Sequence, residues 1–267
     1  MAVPEPKKWL VDGFCRYTRN MVTKRFTAFG VQFATCPSAM IRNDHSMMVF
    51  ANHVGWWDPI VAMLLNKAYF PDRTFYAPID AAALNAYGIF RKLGFYGLEL
   101  DRFHGAAEFL RTSRDILSNP KASIWITPEG QFADARDHNK PLMPGLAHLA
   151  ATSERVLFVP LAIEYPFWEE PRPMVLVRFG EAVTFDGVSN KKQCAEKLEE
   201  AMRSNQKDLA QAVIHRRIEA FEYLIPPRAA RTSWYDTMRS WTAWFQGRPF
   251  DPRHSTVTKT PESRSES

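Results

Sequence analysis

The chain has 267 residues, 46% of them hydrophobic, 24% charged and 13% aromatic, with a net charge of +5. That balance excludes a largely disordered chain, and 12 Gly with 19 Pro exclude collagen-like and low-complexity architectures. The length provides for one large domain with a sizeable core, and the positive charge admits an anionic membrane, an acidic substrate or nucleic acid without choosing among them.

Taken in chain order, residues 7–34 predict one or two short amphipathic helices. Trp9, Leu10, Phe14, Tyr17, Met21 and Val22 recur at helical spacing, with Lys7, Lys8, Arg16, Arg19, Lys24 and Arg25 between them. Such a helix can lie in a lipid headgroup layer, or it can pack on the domain and leave its basic face in water. The first residues lack the apolar stretch of a secretory signal, and no apolar window reaches the ~18 residues of a membrane span. The three cysteines, Cys15, Cys36 and Cys194, form neither a metal spacing nor a disulfide framework, which fits a reducing compartment. The expectation is therefore a protein on the cytoplasmic side of a membrane, peripheral and without a transmembrane span.

From residue 46 the pattern alternates. Met47–Ala51, Thr74–Pro78, Ala122–Ile126, Val156–Ala162 and Met174–Phe179 read as buried strands, and Leu98–Arg102 as a short strand-like run. Helices are predicted at Pro59–Lys67, Gly105–Leu117 and Gly145–Ser153, and one long charged helix over 190–224. This alternation defines the fold class as α/β: a mixed, mostly parallel sheet flanked by helices. Four parts are expected: amphipathic helices over 1–45, a catalytic domain over 46–225, a Trp- and Arg-rich amphipathic segment over 226–247, and a disordered tail over 248–267. In the third part Trp234, Met238, Trp241 and Phe245 share one helical face.

Several familiar catalytic motifs are missing from the sequence: GxSxG, the P-loop, GxGxxG and HExxH. What remains begins straight after the first buried strand, at Asn52-His53-Val54-Gly55-Trp56-Trp57-Asp58-Pro59. Asp58 before Pro59 reads as a helix N-cap with proline at the first helical position. A loop of this length can fold the Asp58 carboxylate back onto the His53 ring. A carboxylate on one ring nitrogen fixes the tautomer and leaves the other nitrogen as a base. Pro128-Glu129-Gly130 follows a second strand, at the sheet edge where open α/β sheets bind ligands. Asp101-Arg102 ends the strand-like run, and Arg102 offers a grip for a phosphate or carboxylate. Trp56 and Trp57 read equally as tunnel lining or as packing. His148 reads as structural, and Asp134, Asp137 and His138 as a solvated loop, so no metal site is expected.

In this order the motifs resemble the glycerolipid (lysophospholipid) acyltransferase family, the 1-acylglycerol-3-phosphate acyltransferase-like proteins, across roughly residues 45–185. The first block of that family is met by Asn52, His53 and Asp58, the second by Asp101 and Arg102, the third by Pro128, Glu129 and Gly130, and the fourth by Val159 and Pro160. The resemblance implies an O-acyltransferase. His53 acts as general base on an acceptor hydroxyl and is oriented by Asp58; the oxygen attacks the thioester of acyl-CoA or acyl-carrier protein. It places Asn52, Arg102, Pro128, Glu129 and Gly130 at the substrate. It requires no cofactor beyond the thioester co-substrate, and its partners are a lipid acceptor, that donor and a membrane surface met by the amphipathic helices, not nucleic acid. The family default acceptor is 1-acylglycerol-3-phosphate. Yet Thr127, Gln131 and Phe132 depart from the third block, and Phe132 stands where the family carries an arginine associated with the acceptor phosphate. Glu99 and Tyr96 depart from the second block. Another lyso-lipid, a glycolipid or a hydroxylated lipid therefore competes as acceptor. A CoA-independent transacylase or a hydrolase is the alternative reaction, and a non-catalytic basic lipid- or nucleic-acid-binding protein the remote one.

Overall fold

The structure, a computed structural model, describes residues 3–37, 42, 44–99, 103–186 and 190–227. Asp101 and Arg102 lie outside the described residues, as do residues 228–247 of the Trp- and Arg-rich segment expected over 226–247 and the tail expected over 248–267. The described elements run α1 (Lys8–Arg25), β1 (Phe29–Phe33), β2 (Ser46–Ala51), α2 (Asp58–Tyr69), β3 (Thr74–Asp80), α3 (Ala81–Ala86), α4 (Ile89–Leu93), β4 (Phe95–Leu98), α5 (Phe103–Leu117), β5 (Ala122–Ile126), α6 (Pro144–Thr152), β6 (Val156–Glu164), β7 (Val175–Phe179), α7 (Lys191–Ile214) and β8 (Glu222–Ile225).

The strands form one sheet in the order β4-β3-β5-β2-β6-β7-β1-β8. From β4 to β6 all neighbours are parallel. β7 runs antiparallel to β6, β1 is parallel to β7, and β8 closes the far edge antiparallel to β1. The sheet is thus mixed and mostly parallel, as expected.

The central strands are apolar throughout because both faces are covered. In β2, Met47, Val49 and Ala51 face one core, with α1 and α2, while Met48 and Phe50 face a second core with α5, α6 and the first turns of α7. In β6, Leu157, Val159, Leu161 and Ile163 join the first core, and Val156 and Phe158 the second. The period of two is intact, but with apolar residues on both sides it reads in the sequence as an unbroken run.

Four expectations change. Residues 7–34 are one helix, α1, followed by a strand, β1, and not two helices. Phe26, Phe29 and Phe33 are spaced like a helical stripe, yet Phe29–Phe33 pairs with Val175–Phe179. Residues 1–45 therefore do not form a separate helical appendage, since they supply an interior strand of the sheet. The long helix over 190–224 ends at Ile214; Arg216 takes a left-handed backbone conformation with φ of 49°, and the chain returns as β8. The strand expected at 98–102 lies earlier, at Phe95–Leu98.

Helix α1 packs inward through Cys15, Thr18 and Val22. Its outer face carries Trp9 and Tyr17, 74% and 66% exposed, beside exposed Lys8, Arg16, Arg19 and Lys24. No helix among the described residues is long and apolar enough to cross a membrane.

Candidate active site

The site forms at the carboxyl ends of β2, β5 and β6, three adjacent strands of the parallel part of the sheet. The chain leaves β2 at Ala51, and Asn52 fastens the exit. Its side-chain amide donates to the Ile163 carbonyl at 3.0 Å and accepts from the Ile163 amide at 2.8 Å. This side chain extends the β2–β6 pairing one residue beyond its last rung, Ala51 opposite Leu161. Asn52 is 2% exposed and both its polar atoms are engaged, so the expected substrate contact is corrected: Asn52 is a latch between strands.

His53 follows, one-fifth exposed at its side chain, and its Nδ1 lies 2.7 Å from Asp58 Oδ2. The same Oδ2 accepts from the backbone amides of Val54 and Gly55, at 2.9 and 3.0 Å. Asp58 does not cap its helix, as its place before Pro59 suggested. Trp57 occupies the N-cap position, Asp58 is the first helical residue, and its carboxylate turns back over the loop that precedes it. Its other oxygen, Oδ1, accepts from the Tyr165 hydroxyl at 2.7 Å. Tyr165 is held as a neutral phenol: burial, first, and the Asp58 charge, second, push its ionisation well above the ordinary tyrosine range. A carboxylate with four donors on a side chain 2% exposed is a fixed acceptor, and it compels His53 to present Nδ1–H.

Glu129 approaches from β5. Its Oε2 accepts from the His53 backbone amide at 3.0 Å, and its Oε1 from Arg203 Nη1 at 3.0 Å. Its side chain is 2% exposed. Glu129 was expected to shape the acceptor pocket; its carboxylate is instead spent on the His53 loop and on α7. Gly130 turns the chain with φ of +69°, and a Cβ there would stand 2.8 Å from the Met143 sulfur, so glycine suits this turn on two counts. Beyond it Phe132, 58% exposed, lays its ring 4.3 Å from the His53 ring, centroid to centroid, at 47°.

A cavity of about 680 Å³ opens at His53. Pro128 and Gly130 line it, as the sequence suggested, and Phe109, Leu110 and Leu146 from α5 and α6 build much of its apolar wall. That is a volume and chemistry suited to a long apolar group. Trp56 and Trp57 do not line it: Trp57 packs edge-on against Phe26, and Trp56 stands 68% exposed. His148 does line it, and its proton affinity is lowered by burial and by nearby Arg114 and Lys191. No cluster of potential metal ligands occurs among the described residues. Two polar contacts of the site, Tyr165 and Arg203, lay beyond sequence reasoning, because each meets its partner from 107 and 74 residues away.

A histidine bound to a carboxylate, beside an apolar cavity at the carboxyl edge of an α/β sheet, has the chemistry to activate a hydroxyl next to an apolar substrate. Residues 36–164, just under half of the chain, match the family model described as Acyltransferase, and this match supports an O-acyltransferase. Among solved structures it is similar to the 1-acyl-sn-glycerophosphate (LPA) acyltransferase PlsC from Thermotoga maritima. The identity is 16%, covering 76% of this chain and 80% of that one, with a TM-score of 0.51, a likeness of fold. No curated protein matches the chain significantly by sequence.

Proposed function

We propose that the protein transfers a fatty acyl group from a thioester, acyl-CoA or acyl-carrier protein, to the hydroxyl of a lyso-lipid, with His53 as the general base. The observation that carries this reading is the 2.7 Å contact of His53 Nδ1 with a buried, four-donor Asp58, both of which line an apolar cavity. Nδ1 is occupied by Asp58, so Nε2 takes the acceptor proton as the hydroxyl oxygen attacks the thioester carbonyl. The C–S bond breaks, the thiolate leaves with the proton returned from His53, and an ester remains. The acyl chain lies along the wall formed by Phe109, Leu110 and Leu146. No covalent enzyme intermediate is required. Arg102 keeps the role of gripping an anionic group of acceptor or donor.

The first acceptor to test is 1-acylglycerol-3-phosphate, the substrate named for the PlsC structure. One observation favours a second reading of the acceptor alone. Phe132 covers His53 with an aromatic ring, where a phosphate-binding cation would be needed beside the hydroxyl. A neutral or zwitterionic lyso-lipid suits that ring better. The protein works as a peripheral enzyme, and the outer face of α1, with Trp9, Tyr17 and four exposed cations, supports lipid contact from the described part of the chain.

The test is acyl transfer from labelled acyl-CoA and acyl-carrier protein to a panel of anionic, zwitterionic and neutral lyso-lipids on vesicles. Donor-dependent ester formation supports the reading, and the preferred headgroup decides between the acceptors. Acyl exchange between lipids with the thioester omitted, or release of free fatty acid alone, would replace it with the transacylase or hydrolase reaction.

A further inference from the structure

Two side chains outside the matched segment 36–164 close the polar frame of the site. Tyr165 sits one residue beyond it and Arg203 lies on α7. Each completes a chain of contacts that ends on His53, one from the ring side and one from the backbone side.

On the ring side, Asp58 Oδ2 already takes three donors, and the Tyr165 hydroxyl at 2.7 Å is the contact on Oδ1. It fixes the carboxylate against rotation about its Cβ–Cγ bond. The Tyr165 ring is itself set against Phe26, with centroids 5.7 Å apart, so the hydroxyl arrives from a packed side chain. On the backbone side, Glu129 holds the His53 amide, and Arg203 holds Glu129. Arg203 is 15% exposed at its side chain, and it is fixed in turn by Glu199 at 2.7 Å, Gln206 at 2.8 Å and the Lys140 carbonyl. Glu199 and Gln206 also reach the loop that carries Phe132, at the Leu142 amide and the Ala135 carbonyl. A further bond, from the Ala133 amide to the His53 carbonyl at 2.9 Å, joins that loop to His53 itself.

We propose that Tyr165 and Arg203 are positioning residues for the transfer reaction: Tyr165 holds the His53 ring through Asp58, and Arg203 holds the His53 backbone through Glu129 and the Phe132 loop through the Lys140 carbonyl. Neither touches the reacting atoms. Both act on the placement of Nε2, where an error of an ångström costs rate far more than binding. The proposal rests on His53 as the base.

The test combines kinetics with a readout that needs no turnover. Tyr165→Phe removes one hydroxyl from an otherwise unchanged ring; kcat falls about tenfold, equal to about 1.4 kcal/mol, while KM for donor and acceptor stays within about twofold. Arg203→Met leaves Glu129 as a buried carboxylate without its cation, so Glu129→Gln and the double variant Glu129→Gln/Arg203→Met are measured beside it. If Arg203 works through Glu129, the double variant loses no more activity than the worse single variant. Losses that multiply in the double variant would overturn that link. Should Arg203→Met fail to fold, Arg203→Lys keeps the charge and loses the planar fork, and a partial kcat loss at constant KM is expected. Separately, the His53 ring N–H signal is followed by NMR and assigned by its disappearance in His53→Ala. It shifts or broadens in Tyr165→Phe and in Arg203→Met if these residues position the ring and its backbone. A signal unmoved in both variants overturns the proposal whether or not the chosen substrates turn over; a wild type that transfers no acyl group counts against the reaction, with the NMR result still deciding the positioning.

Discussion

Asp58 concentrates most of the site's local order in one carboxylate. It orients His53, satisfies the amides of Val54 and Gly55, and takes the Tyr165 hydroxyl, all from a side chain 2% exposed. Asp58→Asn keeps the shape but turns one acceptor oxygen into a donor that faces other donors. The expected result is a fall in kcat by about two to four orders of magnitude with a smaller change in KM, read by steady-state kinetics. Asn52 supports a different prediction, because its contacts are structural. Asn52→Ala strands both backbone groups of Ile163 and costs about 2–4 kcal/mol of stability, measured by urea unfolding. The sequence showed His53, Asp58 and Glu129 as the residues of interest, since spacing and helix-start signals are local. It misassigned Asn52 and Glu129, whose partners are distant in the chain, and a residue type alone does not say whether its hydrogen bonds are already taken.

Among the elements, the turn after β5 depends on Gly130. Gly130→Ala meets both a positive φ and a 2.8 Å approach to the Met143 sulfur. A loss of about 1–3 kcal/mol in stability is expected, with a larger loss of activity than of fold as the Phe132 loop shifts. Helix α1 gives a pH test. Burial pushes the Cys15 thiol up to about 11 from an ordinary value of 9.0. The folded state therefore keeps a proton that the unfolded chain releases, so this contribution to stability is whole below about pH 9 and lost as pH rises towards about 11. Alkylation with iodoacetamide at pH 8 is expected to spare Cys15 while the protein is folded and to reach it in urea, as peptide mass mapping would show. The elements most visible in the sequence were those with an uninterrupted pattern, β2, β5, β6 and α5. The strands missed were β1 and β8, at the end of the sheet far from the site, and the short helices α3 and α4 went unseen as well. In β1 the aromatic spacing imitates a helix, and in β8 a short Glu222–Ile225 run follows directly on a charged helix that the periodicity had no reason to stop.

At the scale of the whole molecule, the placement of β1 between β7 and β8 makes the N-terminal segment part of the sheet. A chain that starts at residue 46 would lose α1 and an interior strand, exposing the edge of β7 and the core surface that Val22, Phe26 and Phe29 cover. It is expected to be insoluble or to lack a cooperative thermal transition by circular dichroism, where the full chain shows one. The α/β class and the order of the motifs followed from sequence because parallel strands buried on both faces leave long apolar runs. The mixed strand directions at the β7-β1-β8 end did not, since direction is set by how distant strands pair.

The account turns on His53 as the base of a thioester-to-hydroxyl transfer. The measurement that addresses it most directly is acceptor-dependent release of CoA thiol, with mass spectrometry of the lipid product, for wild type beside His53→Ala. Wild type should form one ester per thiol released, and His53→Ala, folded by circular dichroism, should lose activity by about two to four orders of magnitude. A folded His53→Ala that retains wild-type turnover, or thiol release that does not depend on the acceptor, would contradict it.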